Sequence, residues 1–335
     1  RRLLMPVGLP NILPLAPYYR EMVWGGRRLE TLFKKKLPPK LSIGESFELS
    51  GYAERESTVA EGPLVGAKLT QLIADYGAEL FGGVMPNENR GDFPLLIKLL
   101  DACQDLSIQV HPDDLYAKQN GLEDRGKMEA WFVLHSSGGR VAYGLKDGVG
   151  PKEFENAVNA GLVEEVIRFF PVNRGDLVFS PPGTVHALCE GVVIYEVQQS
   201  SDLTFRIYDY DRPGLDGKPR DLHLNRAMDV IDFSAELPSP QHWSTLPDAT
   251  EKGCTLVDCE YFRTDYFCEL NRGYEVGNHL EALTIVSGSA RLSSIDGAYE
   301  LAAGNTALLK PGAQIFIETV EGKLEYITSA ALAGG

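Results

Sequence analysis

A chain of 335 residues exceeds what one hydrophobic core comfortably serves, and 44% hydrophobic with 24% charged residues is the composition of an ordered globular protein. A net charge of -15 argues against non-specific nucleic-acid binding, which needs clustered Lys and Arg, and means that an anionic substrate requires a local cationic pocket. No apolar run approaches the roughly 18 residues of a membrane span, and Glu21 and Arg27 break up the early chain, so no membrane association and a cytoplasmic location are expected.

Short alternating runs bounded by Gly, Pro and Asp recur from Leu41 onward, as in SIGESFELSG, RVAYGL, GDLVFSPPG and GVVIYEVQQ. They predict antiparallel strands of a barrel or sandwich. Two stretches have helical spacing instead. One is 68–77, with Leu69, Leu72 and Ile73; the other is 152–170, where Phe154, Val158, Leu162, Val166 and Phe169 form one stripe. Both read as packing helices. Pro238, Pro240 and Pro247 punctuate 235–252, a composition that suits a crossing between domains, so the expected division is 1–240 and 241–335. The five cysteines, Cys103, Cys189, Cys254, Cys259 and Cys268, match neither a disulfide framework nor paired zinc ribbons and read as reduced core residues.

In LSIQVHP the strand period of two puts Ser107, Gln109 and His111 on one face and Leu106, Ile108 and Val110 on the other. A solvated strand face is the plain alternative. In GKMEAWFVL the same alternation aligns Lys127, Glu129 and Trp131, and a Glu among such neighbours needs a partner, either a metal or an arginine. SPPGTVHAL ends a strand in a rigid turn and then presents His186, as a ligand or as a structural histidine. Gln, His, Glu and His together make an O, N, O, N donor set suited to zinc, with manganese, cobalt or iron compatible.

An internal repeat is visible. GDLVFSPPGTVH from Gly175 aligns with GNTALLKPGAQI from Gly304, and MEAWFVL aligns with LEALTIV. Glu129 then matches Glu281 and His186 matches Ile315. With YFCELN taken as its preceding strand, the second half has no Gln-x-His pair, so one metal per chain is expected.

SIQVHPDD, GKMEAWFVL, PPGTVHAL and EVQQSSDLTFRIYDYDR, with WGGRRL and GESFELS upstream, resemble the class I mannose-6-phosphate isomerases, cupin-fold zinc enzymes. The resemblance implies a mainly β bicupin, two jelly-roll β-barrels with a short helical insertion in the first. It implies zinc on Gln109, His111, Glu129 and His186, and a pocket containing Ser107, Lys127, Glu196, Asp202 and Arg206. Lys-Met-Glu at 127–129, where the longer eukaryotic form has Lys-Pro-Glu, points to the compact prokaryotic branch.

The expected substrate is a hexose 6-phosphate, with the chain a monomer or homodimer. Glu196 is the expected base of an enediol reaction, and Lys127 and Arg206 the expected phosphate contacts, with a role for Arg206 at the reacting carbons left open. A cupin dioxygenase holding iron and a non-catalytic sugar-binding bicupin are the alternatives; Gln109, standing where a second histidine would be expected, disfavours the first.

Overall fold

The computed structural model describes residues 8–82, 93–268 and 271–332. The fold is mainly β, built from three sheets. A seven-stranded sheet runs in the order Gln241–His242, Asp176–Ser180, Glu129–Ser136, Val192–Gln199, Leu95–Ala102, Ile43–Leu49, Tyr18–Gly26. A five-stranded sheet runs Phe205–Tyr208, Ile108–Val110, His186–Leu188, Arg140–Leu145, Ile167–Pro171. The third, nine-stranded sheet carries the C-terminal half. Each sheet runs between two end strands, so the hydrogen-bonded ladders form open sheets and not closed rings.

Alternation explains how the seven-stranded sheet is buried on both faces. Trp131 and Ile194 point toward the five-stranded sheet, where they share a core with Leu100, Tyr143 and Leu188. Phe132 and Tyr195, one residue on in each strand, point the other way. The Phe132 ring stacks on Tyr266 at 5.1 Å, and the Tyr195 hydroxyl lies 2.9 Å from Ser329 Oγ. Each fully buried aromatic side chain contributes about 2–3 kcal/mol through area removed from water. The pair of smaller sheets therefore rests on the C-terminal sheet across an apolar face. The N-terminal strand Ile12–Ala16 crosses over to join that sheet, with Ile12 opposite Leu309.

The repeated motifs hold the same registers in the two halves. Glu129 stands opposite Ser180 and Glu281 opposite Leu309, positions five residues after Gly175 and Gly304 respectively. Gly175 N donates to Val133 O at 2.8 Å, and Gly304 N to Ile285 O at 2.7 Å. Both glycines have positive φ, 93° and 84°, as the tight entry to these strands requires. His186 pairs with Gln109, and its counterpart Ile315 pairs with Tyr274. The strand equivalent to Ile108–Val110 is thus Arg272–Glu275 and not YFCELN, of which Glu269 and Leu270 lie outside the described residues.

The expected helix at 68–77 forms as Leu69–Leu80. The one expected at 152–170 forms as the α-helix Pro151–Asn159 and a single 3-10 turn, Val163–Val166. Gly161, at φ 71°, ends the α-helix, and Ile167–Pro171 becomes an edge strand beside Arg140–Leu145. The run Val166, Ile167, Phe169, Phe170 suits a strand as well as a helix, and sheet pairing decides between them. Among the described residues no helix is long and apolar enough to cross a membrane, and none of the five cysteines forms a disulfide.

Candidate active site

The polar residues singled out from the strands meet between the seven- and five-stranded sheets. Gln109 and His186 are register partners in the smaller sheet, while Glu129 opens a strand of the larger one. The turn before His186 is fixed by Gly183, at φ 83°, whose N–H donates to His111 O at 2.9 Å. One backbone bond thereby couples the placement of the two histidines.

His111, Glu129 and His186 are buried, and their ligand atoms lie within 4.8 Å of one another. His186 Nε2 is 3.1 Å from Glu129 Oε1, and His111 Nε2 is 3.5 Å from Glu129 Oε2. Each imidazole places Nδ1 against a backbone carbonyl, His111 on Leu203 O at 2.7 Å and His186 on Thr184 O at 2.9 Å. A carbonyl only accepts, so Nδ1 carries the hydrogen and Nε2 presents its lone pair inward, the tautomer a metal ligand needs. Gln109 Nε2 is 3.4 Å from His186 Nε2, and Ser107 Oγ lies 3.2 Å from Gln109 Oε1. Turning this amide over, an assignment that rests on hydrogen bonding alone, presents Oε1 to the centre and keeps the Ser107 contact.

Lys127 Nζ approaches Glu129 Oε2 to 2.7 Å, an ion pair without the angles of a hydrogen bond. Neither oxygen of this carboxylate has a hydrogen-bond partner among the described residues. A buried carboxylate so poorly satisfied, between two imidazoles with inward lone pairs, fits a divalent cation. Burial alone pushes the Glu129 carboxyl up, but Lys127, His111 and His186 together hold it well below its ordinary range. Burial, reinforced by the Lys127 charge, pulls His111 down to about 3, so its ring is neutral at neutral pH.

The group adjoins a cavity of about 720 Å³ whose lining includes Ser107, Gln109, Lys127, Glu196, Asp202 and Arg206. All six are residues expected at the site. His111, Glu129 and His186 lie behind this lining, in contact with Lys127 and Gln109. Burial raises the Glu196 carboxyl above its usual range despite the opposing charges of Lys98 and Lys127. Burial also pushes Asp202 up, but Lys98, Arg20 and Arg55 overcome it and hold this carboxyl at about 2.

Among the lining residues that sequence reasoning missed are Lys98, Glu45 and Arg20. Lys98 Nζ is 3.5 Å from Glu45 Oε1 and 4.0 Å from Glu196 Oε1, and Arg20 Nη1 is 3.2 Å from Glu45 Oε2. Arg20, Glu45, Lys98, Glu196, Lys127 and Glu129 therefore form a chain of alternating charge running into the donor group. A signal for Lys98 was present: a lone lysine inside LLIKLL cannot be buried without anionic partners.

A family model for the phosphomannose isomerase type I catalytic domain matches residues 12–138, which include Lys98, Gln109, His111, Lys127 and Glu129. The chain is 33% identical over 319 residues to mannose-6-phosphate isomerase ManA of Bacillus subtilis, covering 93% of this chain and 96% of that protein. It is 32% identical to the mannose-6-phosphate isomerase of Streptococcus mutans, covering 92% of this chain and 94% of that one. The crystal structure of mannose 6-phosphate isomerase from Bacillus subtilis superposes with a TM-score of 0.83 at 31% identity, covering 96% of this chain and 99% of that one.

Proposed function

The chain belongs to the type I phosphomannose isomerase family, and from that premise we propose that it is a metal-dependent aldose–ketose isomerase that interconverts mannose 6-phosphate and fructose 6-phosphate through an enediol. The observation that carries this reading is Glu129, buried between two imidazoles fixed through Nδ1 without a hydrogen-bond partner among the described residues, beside a cavity that also holds Glu196 and Lys98.

Gln109, His111, Glu129 and His186 would hold one divalent ion, which we take to be zinc from the mixed nitrogen and oxygen donors. When bound, such an ion supplies Lewis-acid polarisation of the substrate oxygens. Glu196 takes the carbon-bound proton beside the carbonyl and returns it to the neighbouring carbon. Its raised affinity for protons suits a base that works near neutral pH. Lys98 and Lys127, both cationic neighbours of Glu196, oppose charge build-up at the reacting end and can hydrogen-bond substrate oxygens there. Lys127 is expected from the sequence as a phosphate contact; its 2.7 Å contact with Glu129 favours instead a role at the reacting atoms. Asp202 stays ionised and accepts hydrogen bonds from sugar hydroxyls, with Ser107 beside it in the lining. Arg206, the register partner of Gln109 in the five-stranded sheet and part of the cavity lining, is the contact for the phosphate.

The finer architecture we read as a bicupin, two jelly-roll units of which the first bears the metal, divided near residue 240. The matched registers of Glu129 and Glu281, and the core shared by the seven- and five-stranded sheets, support that reading. Anaerobic incubation of metal-analysed protein with mannose 6-phosphate tests the function. Fructose 6-phosphate should form without oxygen. Oxygen-dependent products would favour a dioxygenase, and binding without turnover a non-catalytic sugar-binding protein.

A further inference from the structure

Beyond Phe205–Tyr208 the chain makes a strap, residues 212–220, along the cavity wall. Pro213 bridges to Pro219, and Gly214 N donates to Lys218 O at 2.6 Å, so the strap is a closed turn and not a loose loop. Tyr210 and Asp211, just before it, both have left-handed backbone, φ 59° and 49°. Two consecutive non-glycine residues in that region cost about 1 kcal/mol or more each and persist only where the surroundings hold them.

Asp209 supplies the hold. It is 5% exposed, and its carboxylate grips both ends of the strap. Oδ1 accepts from Arg212 Nη2 at 2.8 Å and from Arg220 Nη2 at 2.6 Å, and Oδ2 accepts from Arg220 Nε at 2.6 Å. Arg212 Nη1 in turn donates to Asp105 O at 2.6 Å, which ties the base of the strap to the body of the protein. The strap turns Lys218 and Arg220 toward a cavity already lined by Arg206 and His223. Arg206 Nη1 donates to Asp221 O at 2.9 Å, while its Nε is buried and unpartnered among the described residues. Burial and the nearby Arg220 charge both pull the Arg206 guanidinium down, as expected where like charges are gathered with too few anions. In a chain of net charge -15, this part of the lining gathers Arg206, Lys218 and Arg220 with only Asp216 and Asp221 among them.

We propose that Asp209 is a positioning residue for anion recognition: by clamping Arg212 and Arg220 it sets the strap so that Arg220 and Lys218 stand with Arg206 around the phosphate of the sugar phosphate. The proposal rests on the isomerase reading of the cavity. A single buried carboxylate thus organises two guanidinium groups, Arg212 and Arg220, without touching the substrate, and neutralises only part of their charge.

The test compares Asp209→Asn and Asp209→Glu with the unaltered, metal-loaded enzyme, using mannose 6-phosphate for kinetics and inorganic phosphate for direct calorimetric binding. Asp209→Asn should raise KM about tenfold or more, leave kcat within about twofold and keep the bound metal, because the clamp acts on uniform binding of the phosphate. Phosphate affinity should weaken by a similar factor, and Asp209→Glu should recover most of both. Lys218→Ala, an exposed change that cannot unfold the chain, should also weaken phosphate binding. Unchanged KM and phosphate affinity in Asp209→Asn would overturn the proposal, as would a Lys218→Ala variant that binds phosphate normally. The phosphate measurement needs no turnover. Asp209-dependent phosphate binding by a protein that fails to isomerise would sink the isomerase reading and leave the clamp standing.

Discussion

Glu196 and Lys98 stand opposite each other on adjacent antiparallel strands, and their charged atoms approach to 4.0 Å inside the cavity. Neither is free to leave, because both strands are buried along their whole length. The pair puts a carboxylate of raised proton affinity beside a fixed ammonium. Glu196→Gln should keep metal and substrate binding and lower kcat by at least about a hundredfold, the scale of a lost general base. Steady-state kinetics check this, and a near-normal kcat would remove Glu196 from proton transfer.

Lys127 gives a second kinetic test. Its ammonium is clamped to Glu129, and Glu129, the largest favourable influence, raises its affinity for the proton against the cost of burial. Lys127→Ala should lower kcat, by about tenfold or more, with a smaller change in KM for mannose 6-phosphate. A pure rise in KM would return Lys127 to phosphate binding.

The donor set makes a prediction about metal content. His111→Ala and His186→Ala should each remove most of the bound metal and nearly all activity while the far-ultraviolet dichroism stays that of the parent, since the packing of Trp131, Ile194 and Tyr143 does not depend on the imidazoles. Plasma emission on gel-filtered protein measures the metal; full occupancy in either variant contradicts the assignment.

The second half predicts a pH dependence of stability. Tyr274 occupies the register position of Gln109 and donates its hydroxyl to Glu281 Oε1. Burial raises the Glu281 carboxyl from 4.5 to about 7, so the folded state binds this proton more tightly than the unfolded state does. The stability it contributes is complete below pH 4.5 and is lost as pH rises to about 7. A tenfold difference in proton affinity is worth about 1.4 kcal/mol, so the loss across this window amounts to roughly 3 kcal/mol. Glu281→Gln should flatten the profile over that window, and its metal content should stay at that of the parent. Urea titrations at several pH values measure it, and parallel profiles for the two proteins would refute it.

Much of the centre was legible because strand alternation is local. Ser107, Gln109 and His111 two apart, Glu129 between hydrophobic neighbours, and His186 after Pro-Pro-Gly each need only a few residues of context, and the structure brings them together. The repeat was legible for the same reason: the glycine entry turns and the Pro-Gly corners sit at fixed offsets. What long-range pairing decides was hidden. Nothing in Ile12–Ala16 announces that its partner is Thr306–Leu309, and Ile167–Pro171 reads as helix until Arg140–Leu145 is beside it. The lone lysine in LLIKLL signals that Lys98 needs an anionic partner, but only the register across the sheet shows that Glu45 and Glu196 supply it. The Asp209 clamp joins Arg212 and Arg220 around a turn that no periodicity describes.

The most direct test of the account is to strip the protein of metal and titrate it with zinc while following conversion of mannose 6-phosphate to fructose 6-phosphate. The arrangement of Gln109, His111, Glu129 and His186 predicts no turnover without metal and a linear rise that saturates at about one zinc per chain. Full activity in the metal-free protein, or none at any zinc concentration in protein that binds the metal, would contradict it.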